Sequence, residues 1–384
     1  MKQMRRLKTY IALTIVLLTT ACTQDPVPSD SPQQGLKTVT LRPYSASFLE
    51  VEEMPTRALP AGYVEYSTLD PKTIPDHTSI GVILTPENTS VLNNFVFMGR
   101  NTDGTLDNRW QASVDIKDEQ AYFIYGFMPR EEADRASVTA LDGSFANGAT
   151  LSIENMNTLT SADVCVIVGV KGNHSATPPN IQDVGIQLGQ FLYQGSAEHN
   201  NIYLLLKHLY SGLHFKVQID SEYAKLRTIV VRRMTLSSAE TIATKMNLTM
   251  TLTANDEGTD PLAGSVTYTP VGTSTGTATN IMYPRSDTDT GFEVPVQTPE
   301  SFLSCFAPGN CHSFNVTTVY DVYDKKGNLV RQGCQAVNAI DATKLQEIET
   351  LKAGEIYTIR MLVKPTYLYV LSEPDLDNPD FSVE

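Results

Sequence analysis

Gly272, Thr273, Ser274, Thr275 and Gly276 spell G-x-S-x-G, the spacing that in some hydrolases presents a nucleophilic serine. That chemistry needs a strand entering the turn and a helix leaving it. Here the five residues sit in the Thr- and Gly-rich stretch 267–279, which reads as a surface loop. His208 and His214 are six apart and would share a face of one continuous strand. Ser211 and Gly212 between them read as a bend, and without a third ligand nearby both histidines read as polar strand residues. Asp287 and Asp289, and again Asp375, Asp377 and Asp380, offer carboxylate oxygens. Neither group follows the calcium-loop ladder with its central Gly and closing Glu, so both read as solvated acidic loops. Gly-rich phosphate loops and a dinucleotide fingerprint are absent. The expectation is a protein without catalytic residues, metal or cofactor, and not an enzyme.

The five cysteines fit that picture. Cys165 lies in the apolar run 164–170 and reads as a buried thiol. Cys305 and Cys311 could close a small loop in an oxidising compartment, with Cys334 beyond it; three unpaired thiols are the alternative. No CxxC or Cys/His spacing points to zinc.

Cys22 has a different context. Lys2, Arg5, Arg6 and Lys8 precede a short apolar run from Ile11 to Leu18, followed by Thr19, Thr20, Ala21 and Cys22. The run is too short for a permanent membrane helix and reads as a cleavable export signal over residues 1–21. Small residues before a cysteine are the pattern of a bacterial lipoprotein signal, which makes Cys22 the acylated new N-terminus. Thr19 stands where that pattern usually has Leu.

The whole chain of 384 residues carries a formal net charge of −14. Removing residues 1–57 takes away seven Lys/Arg and five Asp/Glu, leaving 22 basic against 38 acidic groups, a net of −16. A surface that acidic disfavours nucleic acid and anionic lipid as partners. No second apolar stretch of 18 residues exists, so membrane attachment would come through the lipid on Cys22.

Short alternating runs separated by turns dominate the body. Leu213, Phe215, Val217 and Ile219 alternate with His214, Lys216 and Gln218; Leu248, Met250 and Leu252 alternate with threonines. Further strands are expected at 79–84, 120–127 and 164–170. A hairpin is expected from 314–323 and 329–336 around the turn 324–328, and a closing strand carries Tyr357, Ile359, Met361 and Val363. Residues 341–351, with Asp341 as N-cap, are the best candidate for a short helix. Many short strands with few helices define an all-β chain built of β-sandwiches, with a joint near residues 195–210.

The two ends carry the mechanism. Residues 23–35 are polar and Pro-rich and read as a tether. Residues 36–51 look extended, with Pro43 marking an edge strand. Arg57 and Ala58 follow in a segment bracketed by Pro55 and Pro60, of the kind proteases cut. At the other end, Tyr367, Leu368, Tyr369, Val370 and Leu371 are apolar on both faces, and Phe381 and Val383 alternate at the terminus. If cutting at Arg57 removed the front strand, a sheet edge and groove would open. The tail of another copy could fill it by strand addition, a head-to-tail contact that builds a filament. Alternatively, the tail folds back as the last strand of its own domain.

In this order and spacing the chain resembles the fimbrillins, the type V pilus subunits of Bacteroidales. The resemblance rests on the lipoprotein signal ending at Cys22 and on Thr56, Arg57 and Ala58. It rests further on the run LKHLYSGLHFKV at 206–217 and the run KAGEIYTI at 352–359 before an appended tail. It implies two tandem transthyretin-like β-sandwich domains with an exchangeable N-terminal strand and a C-terminal donor tail. The implied boundaries are 1–21 for the signal, 22–57 for the pro-segment, 58–200 and 201–364 for the two sandwiches, and 365–384 for the tail. It also implies lipoprotein export to the cell outer membrane, cleavage after Arg57 by an arginine-specific protease, and head-to-tail assembly with other fimbrial subunits into a surface fimbrium. Shaft, tip adhesin and basal anchor are the roles open within the family. Outside it, a non-polymerising surface lipoprotein that binds a host protein or glycan is the competing reading, with Trp110 as a candidate sugar platform or a core residue.

Overall fold

The computed structural model describes residues 36–46, 49–51, 63–65, 79–86, 93–98, 110–116, 120–173, 190–192, 201–253, 262–272, 274–285, 287–309, 313–341 and 351–364. A nine-stranded sheet runs in the order Tyr63–Glu65, Leu36–Ala46, Asn201–His208, Cys165–Asn173, Ala121–Met128, Ser79–Thr85 and Asn93–Met98. Trp110–Asp115 pairs with Leu36–Ala46, and Gln190–Leu192 pairs with Ala121–Met128. A four-stranded sheet packs over this one in the order Leu262–Pro270, Lys245–Thr253, Ser144–Asn157 and Arg135–Leu141.

The side-chain pattern explains the pairing. In the nine-stranded sheet, Tyr125, Phe127, Val166, Val168, Tyr203 and Leu205 face the four-stranded sheet, where Leu151, Ile153, Leu248, Met250 and Leu252 meet them. Their sequence neighbours Ile124, Met128, Cys165, Ile167, Ile202, Leu204 and Leu206 form a separate buried cluster on the opposite parity, together with Ile80, Val82 and Leu84. A strand buried on both faces has no polar positions to alternate with. Hence 79–84, 164–170 and 202–206 read as unbroken apolar runs, whereas Lys245–Thr253 alternates.

The second sheet pair follows the one-sided rule. Ser211–Ile219 is central in a five-stranded sheet, between Glu300–Phe306 and Glu355–Val363. Leu213, Phe215, Val217 and Ile219 are buried while His214, Lys216 and Gln218 are half-buried. Opposite lie Thr279–Tyr283, Thr228–Ser238, Ser313–Tyr323 and Leu329–Asp341, with Met234, Leu236, Phe314 and Val316 completing the core. The hairpin of the last two strands turns on Asp324, whose carboxylate accepts from the backbone N–H of Lys326 and Asn328.

Several details differ from the sequence expectation. Strand pairing interleaves the stretches that a boundary at residue 200 separates: Asn201–His208 belongs to the nine-stranded sheet, and Lys245–Thr253 pairs with Ser144–Asn157. Thr267 to Pro270 is strand rather than loop, because Met246, Asn247, Leu248 and Thr249 pair with it. Asp341 ends the strand Leu329–Asp341, and the residues of the expected helix, 342–350, lie outside the described set. Among the described residues the α-helix is Ser221–Leu226, where Asp220 accepts from the N–H groups of Glu222 and Tyr223. No helix among the described residues is long and apolar enough to cross a membrane.

One polar contact ties together three neighbouring strands of one sheet, Thr228–Ser238, Ser313–Tyr323 and Leu329–Asp341. Asp321 is buried and accepts from the Gly333 backbone N–H at 2.8 Å and from Arg232 Nε at 2.7 Å, while Arg232 also donates to Tyr323 Oη at 2.9 Å. The Gly333 N–H first, and the Arg232 guanidinium second, hold the carboxyl below the usual range. A depressed folded value stabilises at pH above the unfolded value of about 4, and this contribution disappears as pH falls through the folded value. Asp321→Asn is expected to cost about 1–3 kcal/mol at neutral pH. In urea titrations the gap to the wild type should narrow below about pH 4.

Candidate functional site

The leading segment joins both halves of the fold. Leu36–Ala46 lies inside the nine-stranded sheet, parallel to Asn201–His208 with Thr40 opposite Asn201, Leu41 opposite Ile202 and Ser45 opposite Leu206. On its other side Tyr44, Ser45 and Ala46 pair antiparallel with Glu65, Val64 and Tyr63. Pro43 therefore sits in an interior strand, not at the expected edge; its register partner on one side is Leu204, and the antiparallel partner opposite begins only at Tyr44. Leu41 is 0% exposed and belongs to the cluster of Ile202, Leu204 and Leu206. Three residues further on, Leu49–Val51 adds as the outer strand of the five-stranded sheet, parallel to Glu355–Val363, with Leu49 opposite Glu355 and Val51 opposite Tyr357. One peptide thus closes two sheets.

The other residues expected from the sequence to act lie outside the described set: Cys22, Arg57, Ala58, Tyr367, Leu368, Tyr369, Val370, Leu371, Phe381 and Val383. Described strand does reach Val51, six residues before Arg57, and Val363, four residues before Tyr367. Ser274 lies in a turn whose N–H donates to the Val271 carbonyl, and Thr275–Gly276 makes a two-residue bridge with Ile242–Ala243; no helix follows. His208 and His214 fall in different sheets and do not form a site together. Cys305 and Cys334 are free thiols, and Cys311 is outside the described residues.

Between the two sheet pairs, the chain passes from His208 through Leu209 and Tyr210 into Ser211. The Leu209 N–H donates to the Val164 carbonyl at 2.7 Å, and Tyr268 Oη donates to the Leu209 carbonyl at 2.6 Å. Tyr210, fully buried, donates to the Asn157 carbonyl at 2.9 Å. Burial pushes both phenols up, so they stay neutral donors. From the other direction, the Gly354 N–H donates to the Tyr210 carbonyl at 2.9 Å and Ser211 Oγ to the Lys352 carbonyl at 2.8 Å. Gly354 has φ +76°, a backbone conformation that favours glycine. A cleft of about 410 Å³ opens at this joint between Glu240, Met246, Tyr268 and Phe306. Its Tyr268 hydroxyl is committed to the Leu209 carbonyl.

Sequence reading missed one constellation. Asp163 and Cys165 at the start of one strand meet His208 at the end of its neighbour, where Cys165 and His208 are register partners. Cys165 Sγ lies 3.2 Å from Asp163 Oδ2 and 3.4 Å from His208 Nδ1. The same nitrogen lies 3.0 Å from the Asp163 carboxylate. Exposures are 2% for Asp163, 0% for Cys165 and 5% for His208. Nearby Cys305 is buried, and burial, then the Asp163 charge, pushes its thiol well up. The sequence signal was faint: Asp-x-Cys entering an apolar run, and a lone His 43 residues after the cysteine.

No protein-family model and no curated protein matches the chain. Among solved structures it is similar to a candidate cell adhesion protein from Bacteroides fragilis NCTC 9343, at 11% identity over 85% of this chain and 94% of that one, TM-score 0.37. A candidate cell adhesion protein from Bacteroides uniformis ATCC 8492 is similar at 12% identity over 87% and 94%, TM-score 0.31. A fimbrial protein from Bacteroides vulgatus ATCC 8482 is similar at 11% identity over 74% and 88%, TM-score 0.26. The structural neighbours are thus Bacteroides cell adhesion and fimbrial proteins.

Because Leu41 is wholly buried in the leading strand, Leu41→Ala in the full chain should lower stability by about 2–5 kcal/mol. Leu41→Met, which conserves volume, should cost less than about 1.5 kcal/mol. Urea unfolding of the two variants checks the strand's place in the core.

Proposed function

We propose that the chain is a structural subunit of a surface fimbrium. It is exported as a lipoprotein on Cys22, cleaved between Arg57 and Ala58, and polymerised by strand exchange in support of adhesion. The observation that carries this reading is the placement of residues 36–51. A segment on the far side of Arg57 from the body contributes a strand to each of two sheets, parallel to Asn201–His208 in one and to Glu355–Val363 in the other.

The physics runs from there. Cutting after Arg57 leaves these strands held only by non-covalent contacts. Their departure would expose one edge of Asn201–His208 and one edge of Glu355–Val363, together with the pocket that Leu41 fills. An open edge flanked by an apolar pocket is a template for a replacement strand. The apolar run 366–371 matches in length the six registered positions from Thr40 to Ser45, and Tyr367, Leu368, Tyr369, Val370 and Leu371 supply side chains for the vacated pocket. In a filament the donor would be a neighbouring subunit, head to tail. Arg57 takes no part in chemistry; its guanidinium is what the acidic pocket of an arginine-specific protease reads. The role is non-enzymatic, at the outer membrane before cleavage and in the fimbrium after it. As a tip subunit instead, the same fold would present its loops to a host protein or glycan.

The test is the mature N-terminus of surface-expressed protein together with an unboiled denaturing gel. An N-terminus at Ala58 and a resistant ladder are expected, both lost in Arg57→Ala, with the ladder alone lost on deletion of residues 366–384. A monomer still acylated at Cys22 would overturn the polymerising role and leave a surface-anchored binding protein.

A further inference from the structure

We infer that Asp163, Cys165 and His208 form a binding site for a divalent transition metal of the zinc class, set where the Asn201–His208 strand leaves the nine-stranded sheet. The three side chains are buried, and their donor atoms lie within 4.8 Å of one another.

The arrangement is wrong for nucleophilic catalysis. A thiol activated by a histidine and an orienting carboxylate uses both ring nitrogens, one for each partner. Here the thiol and the carboxylate crowd the same atom, Nδ1, at 3.4 and 3.0 Å. One ring nitrogen can make only one good hydrogen bond, so the three groups compete as hydrogen-bonding partners. As ligands they converge on a common point. Burial closes off a substrate as well: no reacting molecule reaches a thiol that is 0% exposed.

The donor set suits the ion. A thiolate and an imidazole select borderline-soft metals such as zinc, and a carboxylate completes a common combination. Bond lengths of about 2.0–2.3 Å at tetrahedral angles put donor atoms about 3.4–3.6 Å apart. The observed 3.0–3.4 Å is slightly tighter, so each donor would retreat by a few tenths of an ångström on loading. Charge also balances. Binding displaces the Cys165 proton to solvent, and His208 coordinates through the Nδ1 lone pair with its proton on Nε2. The dipositive ion, one carboxylate and one thiolate then sum to zero in a region where an uncompensated charge costs several kcal/mol. The fourth position falls to water.

The site's position gives it work. Cys165 and His208 are register partners on adjacent strands, so a shared ion staples the end of Asn201–His208 to Cys165–Asn173. The opposite edge of that strand carries the leading segment.

The experiment uses the purified full chain, stripped with chelator and titrated with Co²⁺ as a spectroscopic probe and with Zn²⁺ for metal content by mass spectrometry. One Zn²⁺ per chain is expected, along with a near-ultraviolet thiolate-to-cobalt band. Asp163→Asn keeps the shape and loses the charge; it should weaken cobalt binding by about 100-fold or more. Cys165→Ala should abolish the band while circular dichroism stays native. Should that variant fail to fold, the wild-type band and the Asp163→Asn affinity decide. A chain that retains no zinc and shows no band overturns the site and leaves a hydrogen-bonded cluster. A band that persists in Cys165→Ala also overturns it, because another thiol would then hold the metal.

Discussion

Main-chain hydrogen bonding is the constraint on which this architecture turns. A buried strand must pair its N–H and C=O groups on both edges, because an unpaired group inside the fold costs more than the bond contributes when made. Asn201–His208 has Cys165–Asn173 on one edge and residues 36–46 on the other. Glu355–Val363 has Ser211–Ile219 on one edge and Leu49–Val51 on the other. Both strands therefore depend on a single peptide from the front of the chain. Asn201–His208 and Ser211–Ile219 are themselves continuous through Leu209 and Tyr210, so the front peptide and the joint brace the same pair of sheets.

Burial explains which parts of this were legible in the sequence. Leu213, Phe215, Val217 and Ile219 announce a strand with one wet face because their neighbours His214, Lys216 and Gln218 are polar, and that is how the strand sits. The runs 79–84 and 164–170 lacked alternation because that sheet has cores on both faces. Pairing between distant strands was not legible. Nothing in Lys245–Thr253 specifies Ser144–Asn157 as its neighbour, since a two-residue period selects a face and not a partner. Pro43 misled because a missing N–H removes one ladder bond and does not by itself put a strand at an edge. The capped turn at Asp220 was too short for helical periodicity to register.

The candidate site divides along similar lines. Cys165 was legible as buried because an apolar run surrounds it. Its meeting with His208 depends on strand register, and a register emerges only when both faces are packed. The residues expected to act at the two ends of the chain, Cys22, Arg57 and the apolar tail, were read from side-chain chemistry alone and lie outside the described set. Their sequence spacing says nothing about geometry. What geometry adds is the destination of residues 36–51, which reach two sheets where the sequence suggested one extended edge.

The leading segment lies parallel to Asn201–His208 in one sheet and to Glu355–Val363 in the other, and this has a vectorial consequence. Parallel and antiparallel ladders space their hydrogen bonds differently, so a strand that replaces the leading segment without rearranging the sheet inherits its sense. The strand that pairs beside Asn201–His208 and Glu355–Val363 is thus specified in direction as well as in place, a sense written into the backbone of residues 36–51.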